Sequence, residues 1–188
     1  LGHMTTITTY SVGQYMILDT STRRNLELLE TLREKQKRGS LLWVLDKTKT
    51  AMGARMLRTF IEQPLIHKED ILRRQEIIEE LNMNYISREE IREYLNPVYD
   101  LERLIGRISY KTANPRDLIS FKNSLEMLPH IKQILKEFTC PLVKELDSDL
   151  DCLEDLYQLL ERAIVEDPPV TVREGGMIKE GFNEDADK

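Results

Sequence analysis

The sequence predicts a mostly α, multi-helical core domain, with short β-strands near the N-terminus and a C-terminal β-hairpin. Three observations carry this. Apolar residues recur at intervals of three and four over most of the 188 residues, as in Leu118, Phe121, Leu125, Leu128, Ile131, Leu135 and Phe138. The few glycines and prolines fall mainly between such segments. The two ends change character, to Thr-, Tyr- and Ile-rich alternation around 5–18 and to VTVREGGMIKEGF at 170–182.

In chain order, Leu1 to Met4 (LGHM) reads as a tag and cloning scar, leaving 5–188 as a single domain. Tyr15 to Leu18 is the best strand of the first segment, and Asp19 or Thr20 then caps a helix carrying Leu26, Leu28, Leu29 and Leu32. Arg33 to Arg38 is a basic cluster, read as a solvated loop ahead of a phosphate-binding patch because no aromatic is interleaved.

Gly39 to Pro64 organises the chain. Ser40 caps a short helix around Trp43, a polar Thr-rich turn follows, and a second helix runs from about Ala51 to Glu62. So dense an apolar run is expected to be buried. Ile71, Leu72, Ile77, Ile78 and Leu81 mark the inward face of the next helix, and Asn82 to Ile86 a link. Ser87 with Glu90 reads as a capping box, and Pro97 as the start of a helix carrying Leu101, Leu104, Ile105 and Ile108. On it Asp100 can pair with Arg103.

Asn114-Pro115-Arg116-Asp117 is the clearest helix start, with cap, first-turn proline and returning carboxylate in sequence. Pro129 is expected to kink or divide the helix that follows, and Pro141 to end the region. A last helix is expected from about Asp149 to Val165. The 170–182 tail reads as strand, Gly175-Gly176 turn, strand, packed on the Thr5 to Leu18 segment.

The chemistry-bearing patterns are absent. The glycines open no GxxxxGKS or GxGxxG loop, no serine sits in GxSxG, and His3, His67 and His130 lack ligand-spaced partners. Cys140 and Cys152 read as two reduced thiols. No apolar run approaches a membrane span, and the net charge of −6 argues against strong nucleic-acid binding by this segment. The residues therefore name no catalytic, cofactor-binding or metal-binding position. An enzyme with a dispersed site, or a stand-alone helical protein–protein interaction module, stays open on the residues alone.

Several blocks in order resemble the core region, domain III, of the bacterial MutS mismatch repair family. They are YMILDTSTRRNLEL (15–28), GSLLWVLDKTKTAMGARMLR (39–58), YDLERLIGRI (99–108), ANPRDL (113–118), DPPV (167–170) and REGGMIKEGFNE (173–184). Ala186 departs from the family's leucine. The resemblance implies a non-enzymatic structural core, ending where the first lever helix begins, that connects mismatch-binding, clamp and ATPase regions. It implies ATP and Mg2+ for the full-length protein and none held here. Mismatched duplex DNA, MutL and a homodimer partner are implied for the whole, in the bacterial cytoplasm. DNA binding by this segment alone is expected to be weak or absent. It assigns structural roles to Asp19, Thr22, Arg23, Asn25 and Glu27 at the lead-in, and to Asp46, Thr48, Thr50 and Gly53 between the short helices. Asp100 and Arg103 would lock their helix, and Gly175-Gly176 would support the exit. With the family's returning helices missing, exposed apolar surface is expected to drive self-association.

Overall fold

The computed structural model describes residues 12–184 and 187. The expected scar, the Thr5 to Ser11 strand segment and Ala186 lie outside them. The described residues form two compact units, divided between Glu80 and Leu81. They are mostly helical, and no β-strand forms among them; pairing is confined to two isolated bridges.

The first unit holds α1 (Thr20–Asn25), α2 (Leu41–Leu45) and α3 (Ala51–Glu62), and α4 (Lys68–Met83) runs through its boundary. Asp19 caps α1 by accepting from the Thr22 N–H at 2.6 Å. Ser40 caps α2 from a fully buried position: its Oγ accepts from the Trp43 N–H and donates to the Lys37 carbonyl. The N–H groups of Leu41 and Leu42, orphans of the first turn, donate to the carbonyls of Glu27 and Leu28. This sets α2 against the loop after α1, where Leu28, Leu42 and Ile61 make a small core with Leu18, Leu29 and Leu57.

That core is narrower than the sequence suggests. Leu42 is buried, but Trp43, Val44, Leu45 and Met56 are each about half exposed, and Leu72 and Ile78 on α4 are exposed too. Five residues of α2 make less than two turns, so only one side can face a single neighbouring helix. Sedimentation equilibrium checks the consequence. Self-association rising with concentration is expected, and a strict monomer at high concentration contradicts it. The Tyr15 to Leu18 strand reduces to one antiparallel bridge, Tyr15 with Leu65, flanked by Met16 N–H to Pro64 carbonyl at 2.7 Å and Ile66 N–H to Gln14 carbonyl at 3.2 Å. Its pairing partner is thus the segment after α3 rather than the C-terminal tail.

The second unit contains α5 (Tyr85–Leu95), α6 (Leu101–Ser109), α7 (Pro115–Leu135), α8 (Pro141–Asp149) and α9 (Glu154–Ala163). Helix α5 starts earlier than its predicted capping box. Ser87 lies inside the helix and donates to Glu137 instead, and only Asn84 separates α4 from α5. Helix α6 starts at Leu101, with Asp100 rather than Pro97 marking its end. The α7 capping box forms as read: Asn114 Oδ1 accepts from the Asp117 N–H, and Asp117 Oδ2 from the Asn114 N–H, both at 2.8 Å. Pro129 does not divide α7, which continues to Leu135. Proline removes one backbone donor, and the packed residues on both sides of it, Leu125 and Ile131, hold the helix together.

Pro141 opens a helix rather than closing the region, as a first-turn proline does. The last helix is shorter than predicted. Leu153 precedes it at φ 49°, a left-handed conformation held by its N–H bond to Asp151 and by packing into the core. That core joins Leu104, Phe121 and Leu125, flanked by Leu101, Leu128, Leu153, Tyr157 and Leu160. The expected C-terminal hairpin is replaced. A capping box between Thr171 and Glu174 winds Val172–Glu174 into a 3-10 turn, so that stretch is not extended. The chain still reverses at Gly175 and Gly176, both at positive φ. Met177 to Lys179 then pairs back onto the end of α9 through the Ile164–Ile178 bridge.

Candidate functional site

The residues marked by the sequence gather into joints between short elements rather than around a cavity with reactive groups. In the lead-in joint, Arg23 donates from Nε to the Leu18 carbonyl at 3.0 Å and approaches Glu62 at 3.8 Å. It thereby links α1 to the end of α3. The Asp19 carboxyl lies below its ordinary pKa, chiefly because the Thr22 backbone N–H donates to it. Glu27 turns the chain at φ 48° and accepts from the Leu32 N–H at 2.7 Å. Asn25 is the exposed last residue of α1.

In the second joint, Asp46 ends α2 and accepts from Lys37 Nζ with one oxygen. Its other oxygen accepts from both the N–H and the hydroxyl of Thr48. The Lys37 bond, followed by Thr48, pulls the Asp46 pKa from 3.8 to about 2. Thr50 caps α3 by accepting from the Gly53 N–H at 3.0 Å. A Cβ on Gly53 would stand 3.1 Å from Thr50 Oγ1 and 3.5 Å from Thr48 Cβ, so glycine keeps the two threonines close.

A carboxylate with a depressed folded pKa stabilises above its unfolded pKa, and loses that contribution as pH falls through the folded value. The stability difference between wild type and Asp46→Asn is therefore expected to be full above about pH 4 and to shrink toward pH 2. Urea midpoints across that window check it; a constant difference contradicts the assignment.

In the second unit Asp100 caps α6 by accepting from the Arg103 N–H at 3.3 Å, so the expected lock runs to that residue's backbone. Two joints there were not singled out by the sequence. Arg107 of α6 donates to Asp117 of the α7 capping box at 2.8 Å. Lys122 of α7, with a side chain only 11% exposed, donates to Glu161 of α9 at 2.6 Å. Lys179, after the glycine turn, closes on the same residue, donating to the Glu161 carbonyl at 2.6 Å and lying 3.6 Å from its carboxylate. The signal for this second joint was legible: Lys122 falls in register with Leu118, Phe121 and Leu125, and a charge in an apolar stripe implies a partner.

Among the described residues, no group of three His, Cys, Asp or Glu is disposed to hold a metal ion, and no helix is long and apolar enough to cross a membrane. Capped, ion-paired junctions between short helices make the described residues a helical scaffold.

Comparison with known proteins gives the family. Residues 21–186 match MutS domain III. The chain is similar to the DNA mismatch repair protein MutS of Lachnoclostridium phytofermentans, 63% identical over 187 residues, covering 100% of this chain and 20% of that protein. It is 52% identical over 188 residues to the DNA mismatch repair protein MutS of Ruminiclostridium cellulolyticum, covering 100% of this chain and 22% of that one. The Clostridium tetani protein of the same name is 47% identical over 188 residues, again across the whole of this chain and 21% of the relative. This chain belongs to the MutS family, bacterial type, and corresponds to its domain III. It spans about a fifth of the length of the curated relatives it matches.

Proposed function

We propose that this chain is the structural core of a DNA mismatch recognition and repair ATPase. It connects mismatch-binding, clamp and ATPase regions and transmits conformational change between them. The observation that carries the reading is the family match over 21–186; the joints at Asp19, Thr50 and Asp100 support it. Mismatched duplex DNA, MutL and a second copy of the full-length protein are the partners of the whole, in the bacterial cytoplasm. ATP and Mg2+ belong to the whole as well. This reading places neither on the present chain: the sequence has no phosphate loop, and among the described residues no group of three His, Cys, Asp or Glu is disposed to hold a metal ion. The domain itself performs no chemistry in this reading. Its short helices move as braced bodies, so a load at one end reaches the other through the joints.

Asp100→Ala in the full-length protein tests this, because it removes the side-chain cap of α6. Mismatch-stimulated ATP hydrolysis and mismatch-dependent sliding are expected to fall while ATP affinity holds. Unchanged stability, stimulation and sliding would sink the reading.

A further inference from the structure

The geometry points to an anion-binding site in the first unit, built by Arg23, Arg24 and Arg58, that takes the carboxylate side chains of an acidic peptide segment. The three arginines, from α1 and α3, line a surface concavity of about 320 Å3 with Thr20, Leu29 and Glu30. Two of the three guanidinium groups, those of Arg23 and Arg58, share the Glu62 carboxylate. Glu62 lies 3.8 Å from Arg23 and 3.5 Å from Arg58, both beyond the 2.7–2.9 Å of a strong charge-assisted bond. Arg24 is exposed and has no ionic partner among the described residues. Positive charge is therefore undercompensated where donors converge.

The surrounding charge agrees. Residues 19–62 carry ten Lys and Arg against six Asp and Glu, whereas the rest of the chain carries seventeen against twenty-seven. An otherwise acidic protein thus presents one basic region.

Two features select a peptide over a nucleic-acid backbone. Leu29 and the aliphatic stems of the arginines give the concavity apolar walls, which suit a carboxylate carried on methylenes. Glu30 also lines it: its charge repels any anion, a continuous run of phosphates more than carboxylates spaced along a peptide, and it can accept from a peptide N–H. Guanidinium forks bind carboxylates in a bidentate manner, so lysine would not substitute.

The test is a titration of this chain followed by the arginine Nε–H NMR signals. The probes are the blocked peptide acetyl-Glu-Leu-Glu-amide, pyrophosphate and a 15-base-pair duplex. Saturable shifts of the Arg24 and Arg58 signals with the peptide are expected. Arg24→Gln and Arg58→Gln should each weaken binding about tenfold, and Arg24→Lys should not restore it. Thermal melts of the variants, unchanged for exposed Arg24, establish that the loss is not unfolding. Absence of saturation with the peptide overturns the proposal, as does binding indifferent to Arg24→Gln. Tighter binding of pyrophosphate or duplex to the same arginines overturns the ligand class and makes the site a phosphate site.

Discussion

Leu125→Ala is expected to destabilise the second unit by about 3 kcal/mol. Leu125 is 1% exposed and stands at the centre of the cluster formed by Leu104 of α6, Phe121 of α7, and Leu153, Tyr157 and Leu160 around α9. Truncation removes the transfer free energy of the side chain and leaves a cavity whose walls belong to three helices. Those helices are tied in register by the Arg107–Asp117 and Lys122–Glu161 joints, so the walls cannot shift far to fill the cavity. Hydrogen exchange reads the outcome: amide protection in α6, α7 and α9 should fall about a hundredfold, each tenfold being about 1.4 kcal/mol. Ile105→Ala on α6, at a residue 51% exposed, is the control and should cost well under 1 kcal/mol. Equal losses at both positions would mean that the cluster is not the core.

The second large effect is expected at Glu161. Glu161→Leu strands the Lys122 ammonium in a position where its side chain is only 11% exposed. A fully buried broken pair costs several kcal/mol, but Glu161 is 42% exposed, so solvent screening reduces the expected loss to about 1–2 kcal/mol. Lys122→Met combined with Glu161→Leu should recover most of it, because an apolar pair satisfies a site that one charge cannot. The pH dependence has two signs. Lys122, through its bond with Glu161, holds the Glu161 pKa below the ordinary value, so that contribution is present above the carboxylate range and lost as pH falls through the folded pKa. The Lys122 pKa is raised, first by the Glu161 bond, so its contribution is present below the ordinary lysine range and lost as pH rises through the raised value. A double variant no more stable than Glu161→Leu would show that the pair does not couple α7 to α9.

What the sequence disclosed follows the range of the interactions. Caps close within three residues, so Asp19, Ser40 and the Asn114–Asp117 box were legible from local pattern alone, whereas Thr50 entered only through the family resemblance. Ser87 misled because a capping pattern also occurs inside helices. There the hydroxyl was drawn to Glu137, fifty residues away. Helix α8 was missed because proline was taken as an end signal when it also occupies the first turn. Burial was the hardest to foresee. Periodicity shows that Ile71 and Ile78 share a face, not that another element of this chain covers it. The joints at Glu161 and Asp117 join residues 39 and 10 positions apart, and only Lys122, out of place in its apolar stripe, announced one of them. The tail failed as a hairpin because Thr171 and Glu174 satisfy each other locally, which outcompetes an isolated ribbon.

In the proposed role this domain connects and braces, leaving mismatch reading to the rest of the protein. Fluorescence anisotropy of labelled matched and mismatched duplexes, titrated with this chain at low and physiological salt, tests it most directly. The account predicts no binding, or weak binding that disappears with salt, ignores the mismatch and is indifferent to ATP. Tight, salt-resistant binding that prefers the mismatch would contradict it and place recognition inside the domain itself.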